Sequence, residues 1–296
     1  MKNILLTGAT GFIGKELVRQ ILQKYTNAHL HILTRKKQSS SSPQISYYTW
    51  DIAKQLIDKD LPKEIDAVIH LAGANIAEKK WTEKRKKELI NSRVKSTELL
   101  VKWIDENSIT AKTFISASAI GFYGEGSIDQ IFTEKDFSGN DFLAELCKKW
   151  EDASTQLKEK NIRVIYIRTG LVLHPEGGMW KELSTAFKLH VVPKFGNGKQ
   201  IYSWISLDDL IRIYLFSLEN TDVVGAVNAV APNPLSQLEL SKKLIEKTTN
   251  KFIVFPIPAF LLKIMLGELS IELLKNANIS SRKIQNLGFN FEQEMP

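Results

Sequence analysis

The 296-residue chain reads as a doubly wound α/β protein, a parallel sheet with helices on both faces, joined to a smaller, irregular C-terminal lobe. Three observations predict this. The apolar run Ile4-Leu5-Leu6 leads into Gly8-Ala9-Thr10-Gly11-Phe12-Ile13-Gly14 and then a helical pattern, so a strand hands over to a helix through a glycine turn. Strand-like apolar runs alternate with helical periodicity as far as Arg168, as a sheet buried on both faces requires. After Leu173 the breakers Pro175, Gly177-Gly178, Pro193, Gly196, Gly198, Pro232, Pro234, Pro256 and Pro258 separate short elements.

Taken in order, strands are expected at Asn3 to Thr7, His29 to Thr34, Ser46 to Trp50, Ala67 to Leu71, Thr113 to Ser116 and Arg163 to Arg168. Helices are expected at Lys15 to Lys24, Trp81 to Glu106 and Asp141 to Lys158. The serine tract 39–42 with Pro43 falls between two strands and reads as a surface loop. Residues 1–172 with 201–230 are assigned to the sheet domain, and 173–200 with 231–296 to the smaller lobe on the substrate side.

Composition narrows the function classes. A hydrophobic fraction of 43% and a charged fraction of 25% permit a large core. The single cysteine, Cys147, excludes an internal disulfide framework and a cysteine-rich zinc site, which fits the cytoplasm. His70 has no second histidine or carboxylate at ligand spacing, so no metal is expected. The apolar start breaks at Thr7-Gly8, too early for a signal peptide, and no segment reaches the roughly 20 apolar residues of a membrane span. No membrane partner is expected. The formal charge of +7 favours anionic ligands, and Lys79-Lys80 with Lys84-Arg85-Lys86-Lys87 is the densest cluster. Glu83 and Glu88 interrupt it and Leu89-Ile90 follow, so it reads as the solvated face of a helix and not as a nucleic-acid surface.

The glycine turn carries the chemistry. Glycine allows positive φ and a close approach of backbone to a pyrophosphate, whose charge then meets free N–H groups at the positive end of a helix. Gly8, Thr10, Gly11, Phe12, Ile13 and Gly14 are therefore candidate dinucleotide contacts. The residue ending the second strand faces the adenosine ribose in such folds. Here that place is taken by Thr34-Arg35-Lys36-Lys37. A guanidinium favours a 2′-phosphate where a carboxylate would favour a free hydroxyl, so NADP(H) is the expected cofactor. Asp51, after the third strand, is placed to accept from the adenine amino group or simply to close a turn. Leu71-Ala72-Gly73 end the fourth strand with residues small enough to let backbone pass close to a ribose.

Gly8-x-x-Gly11-x-x-Gly14, His70-Leu71-Ala72-Gly73, Ser116-Ala117-Ser118 with Tyr123-Gly124, and Trp204-Ile205 before Asp208-Asp209 together resemble the extended short-chain dehydrogenase/reductases over essentially the whole chain. More narrowly, Glu88 to Arg93, Asp141 to Cys147, Arg168 to Leu173, Asn228 to Pro232 and Leu287-Gly288-Phe289 resemble its atypical epimerase-family oxidoreductases, which carry a C-terminal domain of unknown function. The resemblance implies a Rossmann fold and makes Thr34, Arg35, Leu71, Ala72, Glu88, Arg93 and Leu171 candidate NADP(H) contacts. Arg93 either reaches a phosphate or forms a surface pair with a nearby glutamate.

The departure from the family concerns its Tyr-x-x-x-Lys pair, the proton donor and the ribose-holding lysine. Aligning through Glu151 puts Leu143 and Cys147 in those places, and neither can do the work. Lys148 is turned about 100° away on a 3.6-residue helix. Cys147, among Phe142, Leu146 and Trp150, reads as a packed thiol. Ser118 and Tyr123 become the candidate catalytic side chains, Ser118 where the family serine holds a substrate oxygen and Tyr123 as the nearest phenol or a pocket wall. A small-molecule substrate is expected between core and lobe, lined by 121–124, 177–180, 193–198 and 202–204, with Trp204 favoured as a core anchor. Two functions stay open: an NADP(H)-dependent oxidoreductase or epimerase-like enzyme, and a non-catalytic NADPH-binding sensor or scaffold. Lysine-rich helix starts favour a monomer over a weak homodimer.

Overall fold

The computed structural model describes residues 2–249 and 251–296. The first half alternates β1 (Asn3–Thr7), α1 (Phe12–Lys24), β2 (His29–Thr34), β3 (Ile45–Asp51), a short β4 (Leu56–Ile57), β5 (Ala67–His70), α2 (Glu83–Glu106), β6 (Thr113–Ala119), α3 (Phe142–Asp152) and β7 (Arg163–Thr169). β8 (Leu171–His174), α4 (Gly178–Lys188), β9 (Val191–Phe195), β10 (Ile201–Tyr202), β11 (Trp204–Ser206), α5 (Leu207–Glu219) and β12 (Gly225–Ala229) follow. The chain closes with β13 (Leu235–Ser236), α6 (Gln237–Glu246), β14 (Ile253–Ile257), α7 (Ala259–Leu266), α8 (Leu269–Leu274) and α9 (Arg282–Asn286).

One sheet of order β12-β7-β6-β5-β1-β2-β3-β4 organises the molecule. Every pairing from β12 to β3 is parallel, and β4 alone returns antiparallel. The chain leaves β1 for β2 on one side and reaches β5 on the other, so loops diverge at β1 and open a crevice at its carboxyl end. Alternation along each strand builds two cores. Ile4 and Leu6 pack with Leu17 and Ile21 of α1 and Leu210 and Tyr214 of α5. Leu5 faces the other way, with Val68 and Phe114, against Leu100, Trp103 and Ile104 of α2. A third cluster joins Leu173, Phe187, Val192, Trp204, Leu240 and Leu262 beyond the sheet. Among the described residues no helix is long and apolar enough to cross a membrane.

Helix ends follow local chemistry. The Thr82 side chain accepts from Arg85 N at 3.2 Å, so α2 starts at Glu83 and not at Trp81. Asp141 caps α3 through Ala144 N at 2.9 Å. The expected single helix to Lys158 instead ends at Asp152 and continues as a 3-10 turn, Thr155–Lys160. Ser154 and Thr155 explain the break: both hydroxyls donate to the Glu151 carbonyl and compete with the helical ladder.

Two histidines buried in the sheet make stability pH-dependent. Burial lowers the pKa of His70 to about 3 and of His31 to about 4. His70 is held neutral between Thr7 and Ser96, while His31 Nδ1 has no partner among the described residues. Both native values lie below the unfolded value, so the unfolded chain binds more protons in between and stability falls as pH drops from about 6.5, by up to about 1.4 kcal/mol per pH unit for each histidine. His31→Leu should remove one histidine's share of that slope between about pH 4 and 6.5 in urea titrations; an unchanged slope would assign the acid lability elsewhere.

Candidate functional site

A cleft of about 1480 Å³ opens where the loops diverge, between the ends of β1, β2, β3 and β5 on one side and α2 on the other. Its floor is the glycine turn. Gly8 has φ +73°, and a Cβ there would stand 2.7 Å from the Leu71 carbonyl carbon. A Cβ on Gly14 would lie 2.2 Å from Gly8 O. Only glycine lets the turn close beneath β5 and lets α1 start this near it. α1 begins at Phe12 with no side-chain cap and no acidic residue in its first turn, so its positive end is not neutralised from within.

The far end is cationic. Thr34 is buried and donates to Lys36 O at 2.7 Å, which pins the turn that carries exposed Arg35 to the rim. Arg35 and Lys36 line the cleft with Gln38, Trp50, Ile52 and Gln55. From α2, Lys84, Lys87, Glu88, Asn91, Ser92 and Lys95 border the opposite side. Their spacing of three and four residues marks one helix face. That face is legible as a polar stripe, and Lys84 and Lys87 are solvent-exposed as the sequence predicts, while bordering the cleft mouth.

The structure brings Gly8, Thr10, Gly11, Thr34, Arg35, Leu71, Ala72, Gly73 and Glu88 together around this cleft. Glu88 pairs with Arg85 at 2.7 Å, and that guanidinium lowers its pKa. The other expected contacts lie elsewhere. Phe12 packs its ring on His174 at 5.5 Å and beneath Gly177, which clamps the segment after β8 over the start of α1. Ile13 joins the α1 core and Gly14 is buried behind the turn. Asp51 is a turn residue, its carboxylate accepting from Lys54 N at 3.0 Å, while its neighbours Trp50 and Ile52 face the cleft. Leu171 bonds through its N–H to Ser203 O and packs on the third core.

Arg93 is neither exposed nor paired. It is 8% exposed, donates to Leu89 O at 3.3 Å, and lies 5.0 Å from the Trp150 ring. A Cβ on Gly73 would stand 3.1 Å from its Cζ, so the guanidinium lies directly against the cleft-lining end of β5. Burial lowers its pKa to about 10, and no carboxylate compensates among the described residues. A buried cation without a counter-charge is costly. Its position against the backbone that borders the cleft fits an anionic or hydroxyl-rich ligand there.

Deeper in, the two candidate catalytic side chains are both committed. Ser118 Oγ is buried and donates to Glu151 Oε1 at 2.7 Å. Glu151 accepts twice more from Arg168, Nε at 2.9 Å and Nη2 at 2.8 Å. Tyr123 is also buried, which corrects its expected place on a pocket wall: its hydroxyl donates to Asn228 Oδ1 at 2.7 Å and accepts from Arg168 Nη1 at 2.9 Å. Burial pushes its pKa up to about 12, against the pull of Arg168. Tyr202, expected near substrate, is a core anchor bonded to Leu273 O, and Trp204 is the core anchor the sequence favoured, bonded to Asn233 O.

Leu143 and Cys147 face the loop after β6, where a Cβ on Gly121 would stand 3.2 Å from Leu143 Cβ and 3.9 Å from Cys147 Sγ. Burial pushes the thiol up to about 12, and Lys148 points to solvent. The Glu151–Arg168 pair escaped sequence reasoning, because a glutamate and an arginine 17 residues apart look like surface charges.

Comparison with known proteins now bears on this arrangement. The model of the NAD dependent epimerase/dehydratase family matches residues 4–230, and that of a domain of unknown function matches 257–294. An epimerase family protein of Staphylococcus aureus (strain MRSA252) is 34% identical over 99% of this chain and 95% of its own length. A human epimerase family protein crystallised with NADPH superposes with a TM-score of 0.86 at 26% identity, covering 99% of this chain and 96% of that one. A nucleoside-diphosphate sugar epimerase from Corynebacterium glutamicum gives 0.78 at 32% identity, over 99% of this chain and 56% of that one.

Proposed function

The chain belongs to the NAD dependent epimerase/dehydratase family, and from that premise we propose that it is an NADP(H)-dependent oxidoreductase or epimerase-like enzyme that works without the tyrosine–lysine pair. The observation that carries this reading is a single cleft with an uncapped glycine turn at its floor and Arg35 and Lys36 at its far rim. The turn would hold the pyrophosphate, Arg35 and Lys36 the 2′-phosphate, and Arg93 the segment nearest Gly73. The NADPH in the human relative supports the same choice. Bound there, the nicotinamide supplies hydride transfer.

The chain's own residues orient and do not donate. Ser118 gives its proton to Glu151, so it offers lone pairs to a substrate hydroxyl and no proton. Tyr123 gives its proton to Asn228, and Cys147 is a buried thiol. None of these three side chains therefore supplies the proton. A second reading, a non-catalytic NADPH-binding sensor or scaffold, draws on the same Leu143 and Cys147.

Calorimetric titration with NADPH and NADH, followed by turnover assays on carbonyl and nucleotide-sugar panels, tests both. NADPH binding with consumption of any substrate upholds the enzyme; binding without turnover on either panel leaves the sensor. Affinity for neither cofactor overturns both. Arg93→Met gives a sharper check. It should leave the apo melting temperature unchanged or raised, because an unpaired buried charge is lost, while weakening NADPH about tenfold through loss of a charged hydrogen bond. A lower apo melting temperature with unaltered affinity would make Arg93 structural.

A further inference from the structure

The smaller lobe leaves one apolar face uncovered. β14 runs beside β9 in a two-stranded parallel sheet with, among the described residues, no strand on its other edge, and Ile253 and Phe255 are exposed. α7 buries Leu262 and turns Phe260 and Ile264 outward, 67% and 70% exposed, with Met265 beside them. Leu189 extends the face from the end of α4, where His190 O accepts from Ile253 N at 2.9 Å. A globular protein rarely exposes this many large apolar side chains on two neighbouring elements without an occupant.

Charge identifies the occupant. The elements that build the face carry exposed Lys251 just before β14 and exposed Lys263 on α7, with Lys188 near Leu189, and Glu182, Glu246 and Glu268 stand at the ends of these segments. The acidic residue that follows α7, Glu268, is held by Lys86 at 2.6 Å. A second copy docked by two-fold symmetry would bring Lys251 and Lys263 toward the like charges of its partner. A protein partner is normally anchored through tryptophan, tyrosine or arginine. Residues 251–267 contain none of the three. Aliphatic and phenylalanine tips beside Lys251 and Lys263 match the interfacial region of an anionic bilayer, where apolar side chains enter the headgroup boundary and lysines meet phosphates.

We propose that β14 and α7 form a peripheral membrane-binding face for anionic phospholipid. The sequence expectation of no membrane partner rested on the absence of a spanning segment, which a face lying on the surface does not need. The face also neighbours the site: Lys80 Nζ donates to Ile264 O at 3.4 Å, and Lys86 with Glu268 ties the start of α8 to α2, whose first turns border the cleft. Docking sets the cleft mouth near the bilayer.

Flotation of the full chain with vesicles tests this independently of cofactor binding. The protein should float with phosphatidylcholine vesicles containing about a quarter phosphatidylglycerol, and not with phosphatidylcholine alone, and added salt should weaken binding. Lys251→Glu and Lys263→Glu should each weaken it at least about fivefold. Phe260→Glu with Ile264→Glu should abolish it while NADPH titration and thermal unfolding stay as in the parent, since both side chains are exposed. The proposal is overturned if anionic vesicles do not bind, or if the double variant binds as well as the parent. It is equally overturned if sedimentation shows a dimer that Ile264→Glu dissolves, or if an acidic protein and not the vesicles occupies the face.

Discussion

Replacing Arg168 with methionine should cost about 3–5 kcal/mol of unfolding free energy, because it strands a buried carboxylate. Glu151 is 7% exposed and accepts three hydrogen bonds, two from Arg168 and one from Ser118. The guanidinium also lies 3.4 Å from the Phe122 ring centroid and donates to Tyr123. Methionine preserves much of the apolar stem and nothing of the charge. Glu151 would then keep Ser118 as its one donor in a dry site. The pairing enthalpy is not the point, since a buried ion pair is close to neutral when both partners are replaced together. Glu151→Gln with Arg168→Met should therefore recover more than half of the loss in urea unfolding. If the double variant is as unstable as the single, packing of the arginine stem on Phe122 is what matters, and the stranded charge is not.

That network also shows which parts of the molecule the sequence could disclose. β1 and β2 were readable to the residue because their apolar runs are bounded by Thr7-Gly8 and by Thr34-Arg35, local signals on one segment. The cofactor end was readable for the same reason. Gly8 and Gly14 are required by backbone clashes within one turn and its neighbouring strand, and Arg35 follows the strand that presents it. The catalytic end has no such local code. Ser118 meets a partner 33 residues away and Tyr123 one 105 residues away, on elements that only the folded sheet brings together. A serine and a tyrosine near a strand end look available in sequence and prove engaged in space.

Two further features needed the folded chain to be seen. Arg93 sits in a helix of alternating charge, which left a phosphate contact and a surface ion pair both open; its register turns it inward to Gly73 and Trp150 and rules out the surface pair. The apolar run 259–266 shows how little composition alone says of burial. Helical geometry decides it, because only Leu262 of that run is fully covered. Hydrophobicity shows which residues avoid water when they can, and it says nothing of whether the chain has enough partners to cover them.

Arg35→Glu should reverse cofactor preference, with NADPH weakened on the order of 100-fold and NADH unchanged or improved. Arg35 is exposed at the end of β2, so the substitution should move stability by no more than about 0.5 kcal/mol, and any binding change is local. A charge-assisted hydrogen bond contributes about 1.5–3 kcal/mol, or about 10- to 150-fold. The incoming carboxylate adds repulsion toward a 2′-phosphate and accepts from a free 2′-hydroxyl, so the two cofactors respond in opposite directions. Thr34 makes the comparison clean, because its bond to Lys36 O fixes the turn whichever side chain stands at 35. Calorimetry with both cofactors at two ionic strengths reads the outcome. Parent NADPH affinity should fall with salt more steeply than that of the variant. An unchanged NADPH-to-NADH ratio would take Arg35 out of the site and pass selection to Lys36 or, across the cleft, to Lys95 of α2, which parallel glutamate substitutions would then separate.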